Sequence, residues 1–304
     1  MKNARANLAS VPLGVERRSR SVSDYVALAK PRLNLLVVAS SAAGYYLGAP
    51  TPLPLAAMLG AVAGTAFVAG GAAALNQVYE RDTDALMRRT RTRPLPDGRV
   101  SPFDARVFGL MLSTAGLCLL SAAANLLAAA LALATLFIYV IVYTPMKRRS
   151  PAATLVGAVP GALPPLIGWT AAQGTITVGG LLLFAILFLW QIPHFMAIAW
   201  MYRDDYRQAG FPMLPVTEPD GKRAGRQSVL YAAALLPVSL APTFAGVSGW
   251  PYFVMALPLG VLLLVLSMRF AATRSDESAR RLFFASIIYL PLVLSAMVMF
   301  HTAT

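Results

Sequence analysis

The chain has 304 residues, 57% of them hydrophobic and only 13% charged, with a net charge of +13. Soluble domains carry about 25% charged residues, so an ordinary cytosolic globule is excluded, as is a charge-rich disordered chain. The single cysteine, Cys118, lies in an apolar run and rules out a disulfide framework or a cysteine-built metal site. In so apolar a chain the positive balance reads as basic loops beside a bilayer, and nucleic acid is not an expected partner.

A membrane helix needs about 20 mostly apolar residues. Such runs lie near 31–49, 54–79, 107–123, 126–143, 153–173, 177–200, 228–246, 251–268 and 282–301. Alternating barrel-type strands are absent, so the expected fold is an all-α membrane bundle of nine transmembrane helices. Residues 1–22 are polar and basic and are expected to form a flexible cytoplasmic tail, with 23–304 as a single domain. The first apolar run follows Lys30 and Arg32; its length and the runs after it favour a retained anchor over a cleaved signal.

The charges divide sharply. All 26 Lys and Arg fall within residues 1–32, 80–106, 147–149, 203–226 and 269–281, and all 13 acids fall there too. The connections near 50–53, 124–125, 174–176 and 247–250 carry no charge. By the positive-inside rule the charged side is cytoplasmic, which puts the N-terminus inside and the C-terminus outside. The expected location is the bacterial inner membrane, or its organellar equivalent, as a multi-pass protein with its polar site on the cytoplasmic side.

Span two ends in Asn76-Gln-Val-Tyr-Glu80-Arg-Asp-Thr-Asp84. Asn76, Glu80 and Asp84 are four residues apart, so at about 100° per residue they share one helix face, and Asp82 points elsewhere. Oxygen-bearing side chains at the end of a span are costly unless compensated, and mark a functional site. Hard oxygen donors with few protein carboxylates suit Mg²⁺ shared with a phosphate-bearing substrate. Four arginines follow between Arg88 and Arg93; the guanidinium fork matches phosphate oxygens. Topology alone would account for such arginines, but not for acids beside them.

Span four ends in Tyr143-Thr-Pro-Met-Lys147, and span one starts at Lys30-Pro-Arg32, both on the charged side. Span six ends in Trp190-Gln-Ile-Pro-His194-Phe, followed by Asp204-Asp205-Tyr206-Arg207. On a continuous helix, eleven residues bring His194 to within about 20° of Asp205 and about 16 Å from it along the axis. His194 has two readings, a helix–helix hydrogen bonder or a group serving a bound molecule. A diphosphate bridged to Mg²⁺ would explain both signs of charge, with an apolar bundle beneath it for a long hydrocarbon tail.

Five motifs in order, NxxxExxxD, MxRTxxRPLPxG, YTPMKR, WQxPHF and DDYxxAGxPMLPV, resemble the UbiA prenyltransferase superfamily, and within it the heme O synthase (protoheme IX farnesyltransferase) branch. The resemblance covers roughly residues 22–301. It implies a nine-helix bundle that transfers farnesyl from farnesyl diphosphate to a vinyl group of heme B, with water added, releasing heme O and diphosphate. It implies Asn76, Glu80, Asp84 and Asp205 as catalytic residues, with Glu80, Asp84 and Asp205 holding Mg²⁺. Arg88, Arg91, Arg93, Lys147, Lys30 and Arg32 would bind the diphosphate. His194, Tyr143 and Tyr206 would meet the heme acceptor, with heme B as substrate rather than cofactor. The lipid bilayer and a heme A synthase or oxidase assembly proteins are the implied partners. Glu80 departs from the superfamily's usual Asp but fits this branch, and the superfamily's second DxxxD is absent, which weighs against a symmetric two-metal site. The rival readings are a UbiA-type enzyme with another aromatic or tetrapyrrole acceptor, and a multi-span transporter. The missing Asp motifs weigh against the first. Against the second, no Asp, Glu, Lys or Arg lies mid-span.

Overall fold

The computed structural model describes residues 21–302; the expected tail falls almost entirely outside the described residues. Helix α1 (Val22–Ala29) begins at a capping box made by Ser21 and Asp24. Pro31 opens α2 (Pro31–Gly48), because proline starts a helix well but cannot continue one. Lys30 between them takes a left-handed conformation (φ 49°), and the two helices bend by 49°. A non-glycine residue there costs about 1–2 kcal/mol, and Lys30 is placed by that bend. The first apolar run is thus joined to a short helix that hydropathy alone did not predict.

Next come α3 (Leu55–Asp84), α4 (Pro102–Ala123) and α5 (Leu126–Met146). They are followed by α6 (Ala153–Gln173) and α7 (Val178–Met201), with the short α8 (Arg203–Gln208) and α9 (Leu214–Thr217) after them. The chain closes with α10 (Lys222–Phe244), α11 (Trp250–Thr273) and α12 (Asp276–Met299). Among the described residues eight helices are long and apolar enough to cross a bilayer, and nine if the bent α1–α2 pair is one span. The only β pairing among them is an isolated bridge between Ser248 and His301.

Helix α6 is the most buried of these candidate spans and packs against α2, α5 and α7. Little hydrophobic force separates helix from lipid, so close contact relies on small residues. Gly168 abuts the Ser41 carbonyl and Gly44 the Pro165 carbonyl, leaving no room for a methyl at either position. Helices α3 and α4 meet in the same way through Gly64 and Gly116. The large core lies between α7, α10, α11 and α12, around Leu183, Ile186, Tyr252 and Tyr289.

Two interruptions shape the charged end. Within α5, Ile138–Tyr143 forms a π-helical stretch, a feature frequent at functional sites. Helix α7 stops at Met201 and Tyr202 breaks the path before α8. The continuous helix assumed for His194 and Asp205 is therefore absent. Pro193, by contrast, lies inside an unbroken helix.

Candidate active site

The last two turns of α3 remain helical through Asp84, beyond the apolar run that ends near residue 79. Asn76, Glu80 and Asp84 are all buried on that one face, while the Asp82 side chain is 82% exposed. The helical-face reading of the acidic motif is thereby realised in three dimensions.

These three residues line a cavity of about 140 Å³ together with Lys30, Arg89, Arg93, Tyr139, Tyr143, Lys147 and Tyr206. Met87, Thr90, Phe211 and Met213 complete its wall. Two ion pairs cross it. Lys147 Nζ lies 2.9 Å from Glu80 Oε1, and Arg93 Nη1 lies 2.7 Å from Asp84 Oδ2. Lys147 also sits over the Tyr143 ring at 4.5 Å. Asn76 Nδ2 donates to Thr144 Oγ1 at 3.1 Å, and Tyr139 OH donates to Asn76 Oδ1 at 3.4 Å. Thr144 Oγ1 in turn donates to the Tyr139 carbonyl at 2.7 Å. The π-helical stretch thus ties α5 to the acidic face of α3.

Local packing supports each position. The missing Cβ of Gly157 on α6 leaves the space taken by the Tyr143 ring, whose nearest atoms would stand 2.5–2.8 Å from a methyl there. Thr90 Oγ1 donates to the Asp84 carbonyl at 2.8 Å and holds the arginine segment against the end of α3. Met87, Ala209 and Phe211 form a small apolar cluster with Tyr206 and Met213 packed on it. That cluster joins the segment after α3 to the segment after α7 over the cavity.

Among the expected diphosphate ligands, Lys30, Arg93 and Lys147 line the cavity; Arg32, Arg88 and Arg91 are exposed and do not. Arg89, which the motif reading passed over, does line it, with its guanidinium 4.9 Å above the Tyr202 ring. Tyr139 was also passed over, although it lies four residues before Tyr143, one helical turn away. Tyr143 and Tyr206 are in the wall, whereas Asp205 is half-buried and outside it. His194 lies elsewhere, between Trp190 and Phe283, with Nδ1 2.8 Å from Ser286 Oγ.

Four cations and two carboxylates in the wall leave a surplus of positive charge. That balance suits a polyanion, and the carboxylates suit a hard cation. Asp84 Oδ1 is sealed from solvent and has no hydrogen-bond partner, an orphan acceptor of the kind that a ligand satisfies. Among the described residues no three His, Cys, Asp or Glu side chains form a metal-holding group on their own. A divalent ion here would complete its shell with substrate oxygens and water, as Mg²⁺ commonly does.

The sequence profile of the UbiA prenyltransferase family matches residues 37–288. The protoheme IX farnesyltransferase of Solibacter usitatus is 46% identical over 285 residues, covering 91% of this chain and 98% of that one. The protoheme IX farnesyltransferase of Opitutus terrae is 49% identical over 280 residues, covering 91% and 94%. Among solved structures, a digeranylgeranylglyceryl phosphate synthase is similar with a TM-score of 0.78 at 17% identity, covering 91% of this chain and 97% of that one. A UbiA homologue from Archaeoglobus fulgidus bound to GPP and Mg²⁺ is similar with a TM-score of 0.65 at 16% identity, covering 90% and 99%.

Proposed function

Since the chain belongs to the UbiA prenyltransferase family, and within it to the protoheme IX farnesyltransferases, we propose that the cavity at the end of α3 is its prenyl-transfer site. The reaction joins farnesyl diphosphate, heme B and water into heme O and diphosphate. The observation that carries the assignment of the site is the pairing of Glu80 with Lys147 and of Asp84 with Arg93 across one cavity with surplus positive charge.

Lys30, Arg89, Arg93 and Lys147 hold the diphosphate. Lys147 and Arg93 are held in place by Glu80 and Asp84; their N–H donors would serve the diphosphate, and Glu80 and Asp84 are the residues that would hold the accompanying divalent ion. Mg²⁺ fits because Asn76, Glu80 and Asp84 offer hard oxygen atoms and Asp84 Oδ1 is already without a partner. When bound, it neutralises charge that develops on the leaving diphosphate. The surplus positive charge of the wall disfavours a bare cation and suits one delivered on a polyanion.

The carbon–oxygen bond at farnesyl C1 breaks with its electron pair going to diphosphate, and guanidinium and ammonium donors stabilise that charge. The heme vinyl π-electrons form the new carbon–carbon bond to C1. Water then adds to the neighbouring vinyl carbon and passes its extra proton to solvent. Tyr139, Tyr143, Phe211 and Met213 shield the cation from early hydrolysis. His194 and Tyr206 belong to the acceptor side in this reading. The charged loops, and with them the cavity, face the cytoplasm, in the inner membrane of a bacterium or its organellar equivalent. A heme A synthase or an oxidase assembly protein would receive the product.

The test is to incubate the purified protein with heme B, farnesyl diphosphate and Mg²⁺ and analyse the extracted pigment by mass. The expected product carries one farnesyl group and one water. Unchanged heme B in every condition would refute the proposal.

A further inference from the structure

Resting on the heme reading above, we propose that Ser286 is a positioning residue that sets the tautomer of His194 and leaves Nε2 as the free nitrogen offered to the heme iron. His194 lies seven residues before the end of α7, about 10 Å inside it at 1.5 Å per residue. Its ring is stacked near Trp190 (5.0 Å, 17°) and near Phe283 (5.2 Å, 21°), which fixes the ring plane. Trp190 Nε1 donates to the Ser286 carbonyl at 2.8 Å, so α7 and α12 are bolted together at this level.

The proton bookkeeping follows from the partners. Ser286 Oγ lies 2.6 Å from the Phe283 carbonyl, which can only accept, so the one hydroxyl proton is committed there. Only lone pairs of Oγ remain for His194 Nδ1, 2.8 Å away. Nδ1 is therefore the donor. The rings around His194 are apolar, which keeps the imidazole neutral, and a neutral imidazole has one N–H. Nε2 then carries the lone pair. No described residue hydrogen-bonds Nε2. It is also not among the sealed, partnerless polar atoms, which are Asp84 Oδ1, Trp200 Nε1, Thr243 Oγ1 and Tyr289 OH. Metal-ligating histidines typically have one nitrogen donating to a protein acceptor and the other left open. Sequence reasoning singled out His194 but had no means of finding Ser286, 92 residues away.

The experiment titrates heme B into purified protein in detergent and follows the Soret band and the iron–imidazole resonance Raman line. Wild type is compared with His194→Ala, Ser286→Thr and Ser286→Val. The last two are close in shape and differ in the hydroxyl. Ser286→Thr should keep the iron–imidazole line, whereas Ser286→Val should weaken heme affinity about 10–100-fold, the usual cost of losing such a partner. His194→Ala should lose the line and regain it with added imidazole. Binding of a non-hydrolysable farnesyl diphosphate analogue should be unchanged in all variants, which separates an acceptor-side role from general loosening of the bundle. Equal spectra and affinities for the Thr and Val variants would overturn the role of Ser286. An iron–imidazole line that survives His194→Ala without imidazole would overturn the ligand itself. Wild-type turnover in the pigment assay distinguishes these failures from failure of the farnesyl-transfer reading, because a wrong ligand leaves heme O formation by wild type intact.

Discussion

Asp84 and Asp82 are two residues apart on one helix, and their fates should differ by orders of magnitude. Asp84 is fully buried beside the cavity, and the Asp82 side chain is 82% exposed. Asp84→Asn keeps the shape of the side chain and an oxygen able to accept from Arg93, but removes the charge 2.7 Å from Nη1. Near a protein surface an ion pair at 4 Å is worth about 4 kcal/mol in attraction. The desolvation penalty of the buried carboxylate is also several kcal/mol. These terms oppose each other, and the charge left behind, Arg93, is 25% exposed and can be solvated, so folding stability should move by only about 1 kcal/mol. No such offset protects the reaction. Losing one charge-stabilising contact commonly costs about 10²–10³ in rate, or about 2.7–4 kcal/mol. The assay is the initial rate of heme O formation against Mg²⁺ concentration, with detergent thermal melts run in parallel. Asp82→Asn should stay within about 0.5 kcal/mol in stability, as surface substitutions do, and keep its rate. Equal loss at both positions would refute the argument that burial on one face of α3 selects the working carboxylates.

Arg93→Ala should weaken binding of a diphosphate analogue about 10²-fold, while Arg91→Ala, exposed and outside the cavity, should leave it nearly unchanged; an inverted order would remove Arg93 from the site. Lys147→Met leaves Glu80 buried and unpaired and should cost about 3–5 kcal/mol, whereas adding Glu80→Met should recover much of that stability with no recovery of turnover. A double-mutant cycle on thermal unfolding reads this directly. Gly157→Ala forces the Tyr143 ring from its place, so a loss of about 1–3 kcal/mol is expected from overpacking, with a fall in turnover larger than the stability change explains. In a background lacking Cys118, cysteines at Ser101 and Thr217 should react with an impermeant reagent from the cytoplasmic side only, and one at Gly249 from the opposite side only. Labelling of Ser101 and Gly249 from the same face would sink the proposed orientation.

The spans were legible because apolar runs of membrane length alternate with charged and uncharged connections. The acidic face was legible because four-residue spacing is a helical property, and α3 stays helical through Asp84. The arginines were less so. Arg88, Arg89, Arg91 and Arg93 lie beyond the last regular turn of α3, in a run of tight turns where no period sorts inward from outward residues. Only Arg89 and Arg93 reach the cavity. The break at Tyr202 was not legible at all, since neither glycine nor proline marks it, and it removes the continuous helix on which the expected alignment of His194 with Asp205 rested. The π-helical stretch Ile138–Tyr143 likewise carries no composition signal, although the four-residue spacing of Tyr139 and Tyr143 would have pointed to Tyr139.

The side chains that α3 does not supply reach the cavity in a different way. A regular helix presents one face to a given point, so it can supply a site with residues three or four apart and no others. Asn76, Glu80 and Asp84 are that contribution from α3. Several others arrive where helices are interrupted: Lys30 at the left-handed residue between α1 and α2, Tyr139 and Tyr143 in the π-helical stretch, and Tyr206 after the break at Tyr202, while Arg89, Arg93 and Lys147 come from the turns that follow α3 and α5. At membrane depth, irregular backbone survives only where protein or a water-filled cavity satisfies its polar groups. Three interruptions meeting at one cavity are therefore hard to explain as packing defects, which would scatter along the bundle. They let side chains from separate helices converge on a volume too small for any one helix to line. Restoring regular helix at one of them, for instance by deleting a residue within Ile138–Tyr143, should rotate Lys147 away from Glu80 and abolish turnover even where the bundle still folds.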